Sequence, residues 1–318
     1  MLEDKTIGVV VPCYNEQSQV AKVLDTMPDF VDTIIVVDDA STDGTFEVLE
    51  RYVAENEAQA RIVPVRHEKN RGVGAAIATG YREAIRRRIA VTAVMAGDAQ
   101  MEPKQLRHLV MPVVSGQADY SKANRLWYRK AWDMIPRKRY LGNAFLSMLT
   151  KIASGYWHVA DSQTGYTAIS LEALETIDLN ALYPRYGYPN DMLVRLNVYD
   201  FRVMDVPLRP IYNVGESSKM RFWKVIPTMV WLIFKRFCWR MWHKYVIRDF
   251  HPLVFFYLGA FLLGLMGMVL FVRLIWVWCA TGQIPPMNAL AWVFCVITSI
   301  QFTLFAMWFD MESNRKLR

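Results

Sequence analysis

A short stretch at positions 95–103, Met-Ala-Gly-Asp-Ala-Gln-Met-Glu-Pro, carries side chains that could bind a metal ion. Asp98 supplies a carboxylate and Gln100 an amide oxygen, and Mg²⁺ and Mn²⁺ prefer such hard oxygen ligands. The apolar run from Ile89 to Met95 predicts a buried strand, and Pro103 predicts the start of a helix. The two polar residues therefore fall at the carboxyl end of a strand, where open α/β sheets bind ligands. A plain turn between strand and helix is the alternative.

Further carboxylates follow the first two predicted strands, Thr6 to Pro12 and Thr33 to Val37. Both strands are continuous apolar runs, which are typical of strands covered on both faces. The acidic residues in the loops after them are Glu16, Asp38, Asp39 and Asp43. Like charges this close together cost free energy unless a cation or hydrogen-bond donors join them. A site for a nucleotide base, a ribose and a metal would explain the group, whereas separate helix caps are the alternative.

The elements that must position these loops alternate regularly along the chain. Strand, loop and helix recur four times, with helical apolar spacing in residues 17–27, from about 43 to 52, and from about 75 to 88. This alternation predicts an α/β fold with a mostly parallel sheet flanked by helices and right-handed crossovers. The polar loops then share one edge of the sheet.

Composition separates a soluble part from a membrane part. The chain has 318 residues, a formal charge of +7 and 53% hydrophobic residues. Residues 1–220 carry charges throughout, whereas charge nearly vanishes from 252 to 309, and the basic residues concentrate in the join. Basic residues in that place favour an anionic membrane surface over nucleic acid. The four cysteines show no C-x-x-C spacing, which indicates reduced residues in a cytosol-facing protein.

Three motifs, in order, give the chain a family resemblance. They are Val11-Pro12-Cys13-Tyr14-Asn15-Glu16, then Val36-Val37-Asp38-Asp39-Ala40-Ser41-Thr42-Asp43-Gly44-Thr45, then Asn70-Arg71-Gly72-Val73-Gly74-Ala75-Ala76. Their sequence and spacing resemble the family 2 glycosyltransferases with the GT-A (Rossmann-like) fold. The resemblance covers about the first 220 residues, and the apolar C-terminal part extends it to the polyprenyl-phosphate subgroup.

The resemblance implies a set of donor-binding residues. Glu16 and Asp39 match positions that contact the base and ribose, and Lys219 matches a loop residue that closes over the donor phosphates. The full set implied for the nucleotide-sugar donor is Pro12, Tyr14, Asn15, Glu16, Asp38, Asp39, Ser41, Asn70, Gly72 and Lys219. Asp98 matches the metal-binding carboxylate of a pattern that usually reads Asp-x-Asp-x-Gln. Ala96 replaces the first Asp here, so we expect weaker binding of Mg²⁺ or Mn²⁺ by Asp98 and Gln100.

Residues 117–220 are expected to form the acceptor half. Asp161 lies in a stretch that resembles the family's Asp-x-x-x-Gly-aromatic pattern, but Thr167 stands where an Arg often follows. The catalytic candidates are therefore Arg125 and Arg139 for a phosphate contact and Asp191 and Asp161 for positioning the acceptor. The basic residues of 125–139 are interleaved with aromatics, a mixture that could bind nucleic acid and equally suits an anionic lipid head-group at a membrane surface. A solvated basic face, and for Asp191 a simple helix cap, are the alternatives.

The C-terminal part is expected to lie at and in a membrane. Residues 220–251 interleave basic and aromatic residues at helical spacing, which predicts amphipathic helices in the interface after a catalytic domain of residues 1–219. Within a hairpin of residues 252–318, the spans 252–281 and 287–309 are each long enough to cross a hydrocarbon core. Basic residues flank the pair but not its short loop. The positive-inside rule therefore predicts a cytosolic catalytic domain and cytosolic termini at a bacterial-type inner membrane.

Together these features predict an inverting glycosyltransferase, the stereochemistry being implied by the resemblance. It would transfer one sugar from a nucleotide-diphosphate sugar, expected to be a UDP-sugar, to a polyprenyl phosphate such as undecaprenyl phosphate. The product would be a lipid-linked sugar for cell-surface glycans. The expected partners are the donor, the lipid and the membrane, without nucleic acid and with a homo-oligomer as an option. The alternatives are a processive polysaccharide synthase and, because of Ala96, a degenerate non-catalytic binding protein.

Overall fold

The computed structural model describes residues 1–55, 61–98, 101–127, 135, 137–209 and 222–318, with backbone alone at 138, 139 and 222–225. These residues form two compact units. One comprises residues 1–237 and 316–318, and the other comprises residues 238–315. Gln100 and Lys219, and the side chain of Arg139, lie outside the described part, so their predicted roles stay predictions.

A seven-stranded sheet forms the centre of the larger unit. Its strands are β1 (Ile7–Cys13), β2 (Thr33–Asp38), β3 (Ile62–Arg66), β4 (Val91–Val94), β5 (Tyr120–Asn124), β6 (Thr167–Ser170) and β7 (Val203–Pro207). The order across the sheet is β3-β2-β1-β4-β6-β5-β7. All neighbours are parallel except β6, which runs antiparallel to β4 and β5. The predicted mostly parallel α/β fold is confirmed, with β6 as its antiparallel strand.

Helices cover both faces of this sheet. They are α1 (Val20–Asp25), α2 (Thr45–Glu55), α3 (Val73–Arg86), α4 (Leu106–Val114), α5 (Arg137–Ser154), α6 (Leu171–Thr176) and α7 (Tyr188–Val198). Successive residues of β1 point to opposite faces, so Val9 and Val11 join one apolar core and Val10 joins the other. Burial on both faces explains why β1, β2 and β4 are almost continuously apolar.

Helix α1 is shorter than the predicted helix over residues 17–27. Gln17 instead stays in a loop, where its backbone N–H donates to Asp43 over 3.3 Å. The Gln17 side chain in turn accepts a hydrogen bond from the Gly44 backbone over 3.2 Å. Side-chain contacts with the neighbouring loop therefore replace the first helical turn.

The C-terminal helices begin with α8 (Phe222–Trp242), followed by a π-helical turn over His243–Arg248. Helices α9 (Leu253–Thr281) and α10 (Pro286–Ser313) are each long and apolar enough to cross a membrane, with mean hydropathies of 2.4 and 1.9. Most of their large apolar side chains are exposed in the chain alone. Such outward-facing apolar surface is typical of helices in lipid.

A buried polar cluster joins the end of α8 and the π-helical turn to the C-terminal end of α10. Arg240 donates two hydrogen bonds to Asp310, over 2.8 and 3.0 Å, and both side chains are fully buried. The Tyr245 hydroxyl donates to the same carboxylate over 2.6 Å, and Lys244 donates to Asn314 over 2.9 Å. Because every charge in the cluster has a partner, burial is tolerated there.

Candidate active site

Three of the predicted functional loops meet at one edge of the sheet. Strands β2, β1 and β4 are adjacent and parallel, so the loops after Asp38, Cys13 and Val94 emerge side by side. The sequence order alone does not bring residue 98 next to residue 13. The pairing of β1 with β4 does, and it makes this edge the place where a ligand can be bound.

The first two loops are joined by a ladder of hydrogen bonds. Asn15 donates from its backbone N–H to Ser41 Oγ over 2.9 Å, and its side chain accepts from the Thr42 backbone over 2.8 Å. The Glu16 backbone N–H donates to Thr45 Oγ1 over 2.9 Å. Asn15 and Ala40 both have left-handed backbones, with φ of 56° and 57°. The loops therefore hold each other in a fixed conformation that costs strain at Ala40.

Asp38 helps to hold these two loops in place. Its side chain is fully buried, accepts hydrogen bonds from the backbone and hydroxyl of Ser41, and lies 3.4 Å from Arg66 Nε. Asn15, Asp38 and Ser41 thus shape the loops without lining the pocket between them.

Asp39 ties the second loop to the third. One carboxylate oxygen lies 2.7 Å from His67 Nδ1 and accepts from the Arg71 backbone over 2.9 Å. The other oxygen accepts from the Gly72 backbone over 2.7 Å. His67 is further bonded to Thr79 over 2.9 Å. Sequence reasoning missed His67, because a lone histidine after a strand has no spacing that marks it.

A pocket of about 320 Å³ opens between these loops. The predicted residues that line it are Pro12, Tyr14, Glu16, Asp39, Asn70, Gly72 and Asp98. It is also lined by residues without a predicted role, namely Cys13, Val73, Ala76, Ala96, Gly97, Arg185 and Tyr186. The first and second motifs, the third motif and the Asp98 loop therefore share one concave surface, of a size that suits a small ligand.

The local field at this edge is negative. Burial, followed by the charges of Glu16, Asp38, Asp98 and Asp43, raises the pKa of the Cys13 thiol well above its ordinary value. The thiol therefore stays neutral, and four carboxylates lie close enough to act on its pKa. A cation bound beside Asp98 would relieve their mutual repulsion.

The described residues supply only a few of the ligands that a metal ion would need. No group of three His, Cys, Asp or Glu side chains that could hold a metal occurs among them. Asp98 lines the pocket beside Gly97 and Ala96, whose methyl group cannot coordinate. This donor set fits a hard ion that keeps several waters and takes further oxygens from a diphosphate. It does not form a closed protein cage.

Asp161 is buried and paired with Arg125. The guanidinium donates two hydrogen bonds to the carboxylate, over 2.7 and 3.1 Å, and the Lys122 ammonium donates to the Asp161 carbonyl. Burial alone would raise the pKa of Asp161, but the charges of Arg125 and Lys122 outweigh it and hold the pKa below its ordinary value. The expected phosphate-binding arginine is thus engaged by the expected acceptor-positioning carboxylate.

Asp191 is also fully buried, between two arginines. Its oxygens lie 3.2 Å from Arg195 Nε and 2.6 Å from Arg236 Nε, and they accept from the Tyr183 backbone over 2.7 Å. The residue sits in the first turn of α7 but does not line the pocket. These contacts hold Asp191 firmly in the fold, and its expected role in positioning the acceptor stays a prediction.

Helix α5, in the predicted acceptor half, combines buried hydroxyl groups with exposed apolar side chains. Its buried face carries hydroxyls, among them Thr150, which donates to Asn190 over 3.0 Å, and Ser147, which accepts from the Ser162 backbone over 3.1 Å. Its exposed apolar residues, spaced four and three apart, are Leu141, Phe145 and Met148. An outward stripe of this kind suits an apolar environment rather than water.

Comparisons with known proteins agree with this geometry. Residues 8–178, more than half of the chain, match the family described as Glycosyl transferase family 2. The chain is 27% identical over 228 residues to UDP-N-acetylglucosamine–dolichyl-phosphate N-acetylglucosaminyltransferase of Methanococcus voltae, covering 69% of this chain and 90% of that protein. It is 29% identical over 215 residues to undecaprenyl-phosphate mannosyltransferase of Micrococcus luteus, covering 66% and 86%.

A solved structure confirms the predicted GT-A architecture. Glucosyl-3-phosphoglycerate synthase from Mycobacterium tuberculosis, in complex with Mn²⁺, UDP and phosphoglyceric acid, superposes with a TM-score of 0.52 and 20% identity, over 74% of this chain and 78% of that one. At this identity the likeness establishes the fold. With the motifs, the sheet order and the family match all in agreement, the chain belongs to the family 2 glycosyltransferases and is a glycosyltransferase.

Proposed function

We propose that this glycosyltransferase transfers a single sugar from a UDP-sugar to a polyprenyl phosphate at the cytosolic face of a membrane. The observation that carries the proposal is the pocket lined by Glu16, Asp39 and Asp98, in a chain that also has two helices of membrane-spanning length. The relatives in Methanococcus and Micrococcus, whose names specify polyprenyl-type phosphates as acceptors, support the choice of acceptor.

The chemistry requires little acid–base assistance from the protein. The nucleophile is an oxygen of the acceptor phosphate, which is largely ionised at neutral pH because its second pKa is about 6. It forms a bond to the anomeric carbon as the bond from that carbon to the nucleoside diphosphate breaks, and the configuration inverts. The protein's task is to hold two anions close together and in line. The absence of a Ser/His/Asp arrangement from the described pocket lining is consistent with this task.

The residues around the pocket divide this task. The ladder from Asn15 to Thr42 fixes the loops against which a nucleoside would lie, and Asp39 holds the third motif beside them. Asp98, with Gln100 as the second predicted ligand, would hold a Mg²⁺ or Mn²⁺ ion that neutralises charge on the leaving diphosphate. The apolar stripe of α5 offers a surface for the lipid side of the reaction.

The proposal is tested with the purified full chain, labelled nucleotide sugars and undecaprenyl phosphate in detergent or liposomes. We expect a charged glycolipid that carries one sugar, formed from a UDP-sugar and not from the corresponding GDP-sugar. A polymer would identify a processive synthase, and no transfer with any donor would identify a non-catalytic binding protein. An Asp98→Ala chain serves as the control for contaminating activity.

The metal is tested by titrating the same reaction with Mg²⁺ and with Mn²⁺. Ala96→Asp restores the second carboxylate of the usual family pattern beside Asp98. We expect the metal concentration for half-maximal rate to fall by about tenfold, since a second carboxylate strengthens a divalent site. Unchanged metal dependence would show that Ala96 does not limit binding.

Membrane topology is tested by cysteine labelling. In a background where the exposed Cys238 and Cys279 are replaced by alanine, we expect Gln283→Cys to react with an impermeant maleimide in intact spheroplasts. We expect Ser313→Cys to react only after the membrane is opened. The reverse pattern would place the catalytic domain outside. Light scattering of the purified, detergent-solubilised chain measures whether it forms a homo-oligomer.

A further inference from the structure

One wall of the pocket comes from a segment that no sequence motif singled out. Residues 181–187 connect a 3₁₀ turn (Leu179–Ala181) to α7, and they bring Arg185 and Tyr186 into the pocket lining. Both side chains are exposed. The other charged side chains of the described lining are the acids Glu16, Asp39 and Asp98. Arg185 is therefore the cation that the described lining offers to an anionic ligand.

This segment is packed tightly against the start of α3. The Ala75 backbone N–H donates to the Pro184 carbonyl over 3.1 Å. A Cβ atom at Gly72 or Gly74 would overlap the carbonyl oxygens of Pro184 or Tyr183, and Gly72 also has φ of 94°. The two glycines of the third motif therefore let the segment approach, in addition to shaping the loop. Displacing the segment would open the pocket at the third motif.

Asp191 anchors the segment from the other side. It accepts a hydrogen bond from the Tyr183 backbone over 2.7 Å. Arg195 and Arg236, which pair with Asp191, both also donate to the Ala181 carbonyl. The fully buried carboxylate thus fixes the segment just before Arg185, through charge-assisted hydrogen bonds.

Arg236 is contributed by α8, the helix that precedes the membrane-length helices. Its Nε atom lies 2.6 Å from Asp191, with 17% of the side chain exposed. One turn earlier, Leu232 occupies the space that a side chain at Gly187 would need. The same helix exposes Trp231 and Phe234 on its outer face. Helix α8 therefore exposes apolar side chains on one face, while Leu232 and Arg236 on the other face contact the segment 181–187.

We propose that Arg185 pairs with the diphosphate of the nucleotide-sugar donor, and that Arg236 acts through Asp191 as a positioning residue that holds Arg185 in place. This inference rests on the proposed function for the identity of the ligand, and it assigns a donor-side role to an arginine of α8. It also implies that the position of α8, the predicted interfacial helix, affects the affinity for the donor.

The first experiment measures nucleotide binding to the full chain by calorimetry in detergent with Mg²⁺ or Mn²⁺. The probes are UDP and its parent nucleoside uridine. We expect Arg185→Gln to weaken UDP binding by about tenfold, the effect of losing one charge-assisted hydrogen bond, and to leave uridine binding unchanged. Equal loss for both probes, or no loss for either, would overturn the diphosphate contact.

The second experiment separates positioning from a general structural role. We expect Arg236→Gln to raise the KM for the nucleotide sugar several-fold while the KM for the lipid acceptor stays unchanged, and Arg236→Lys to recover part of the loss. Arg82→Gln is the matched control, because Arg82 donates to Asn180 of the preceding turn over 2.9 Å without touching Asp191. A change in both KM values, or the same change in the control, would overturn the positioning role.

Hydrogen exchange of the full chain gives a readout that needs no ligand. We expect Asp191→Asn and Arg236→Gln to speed amide exchange in residues 181–187 and 72–76, with strands β1 and β2 unchanged. If wild-type chain binds UDP but the variants exchange normally, the positioning role fails and the proposed function stands. If wild-type chain binds no nucleoside diphosphate, the donor assignment fails together with the Arg185 contact, and exchange still decides the role of Arg236.

Discussion

Two groups of carboxylates in this chain look alike in sequence and differ in structure. Glu16, Asp39 and Asp98, from the first half, line an open pocket at the sheet edge. Asp161 and Asp191, from the second half, are fully buried and paired with arginines. A carboxylate that lines the pocket can contact a ligand there, although Asp39 also accepts hydrogen bonds from the Arg71 and Gly72 backbone. A buried carboxylate whose oxygens pair with guanidinium groups instead holds elements of the fold together. The two groups should therefore fail differently when mutated.

The largest expected effect is on activity, at Asp98. Replacing Asp98 with alanine removes the carboxylate that lines the pocket beside Ala96. We expect kcat/KM to fall about a thousandfold with little change in melting temperature, because charge stabilisation is lost without loss of packing. Steady-state transfer assays and thermal unfolding check this. The control is Asp29→Ala, an exposed residue. Retention of most of the activity would remove Asp98 from the metal site.

The second effect is on stability, at Asp161. Asp161→Asn keeps the volume but removes the buried carboxylate charge that pairs with Arg125 and acts on Lys122. We expect the free energy of unfolding to fall by about 3 kcal/mol, as for other buried pairs that lose one member. Denaturant unfolding of the detergent-solubilised chain measures it. Asp119→Asn is the control, because its pair with Arg202 is partly exposed and should contribute under ~1 kcal/mol. If both variants lose the same free energy of unfolding, the buried pair contributes no more to stability than the partly exposed one.

A further carboxylate, Asp205, makes the stability of the chain depend on pH. Burial raises its pKa to about 6, against an ordinary value of 3.8, although Lys122 opposes the shift. The folded state thus keeps a proton that the unfolded state loses. The stability that this group contributes is complete below pH ~4 and is lost as the pH rises through ~6, by up to ~3 kcal/mol.

Thermal unfolding between pH 4 and pH 7.5 measures this dependence. We expect Asp205→Asn to flatten it, because asparagine does not titrate and can still accept the hydrogen bonds from Asn124 and Ala160. A variant that keeps the full pH dependence would assign the titration to another group.

The smallest expected effect concerns strain beside the pocket. Ala40 has a left-handed backbone, which costs an alanine about 1 kcal/mol and costs glycine little. We expect Ala40→Gly to raise the free energy of unfolding by about 0.5 kcal/mol, because greater freedom of the unfolded chain offsets part of the gain. Denaturant titration resolves the sign. A destabilised variant would show that the loop ladder does not tolerate the change.

Much of the fold followed from local pattern. Continuous apolar runs placed β1, β2 and β4 within about two residues of their observed bounds, because a strand buried on both faces needs apolar residues throughout. Strand β6 escaped prediction, since Thr167–Ser170 is not a continuous apolar run and its neighbours supply the pairing that defines it. Helices α9 and α10 were also predicted, because a helix that can cross a membrane must be long and apolar, and both properties can be read from the sequence.

The sequence by itself also determined which loops could carry chemistry, since parallel strands joined by helices bring their carboxyl ends to one edge. Only the tertiary structure decided which carboxylates face the pocket. The pairs Asp39 with His67, Arg125 with Asp161, and Asp191 with Arg236 join residues 28 to 45 positions apart. Such contacts depend on how helices and loops pack, and no local period encodes them. The same packing brought Arg185, a residue without a motif, into the pocket that the motifs outline.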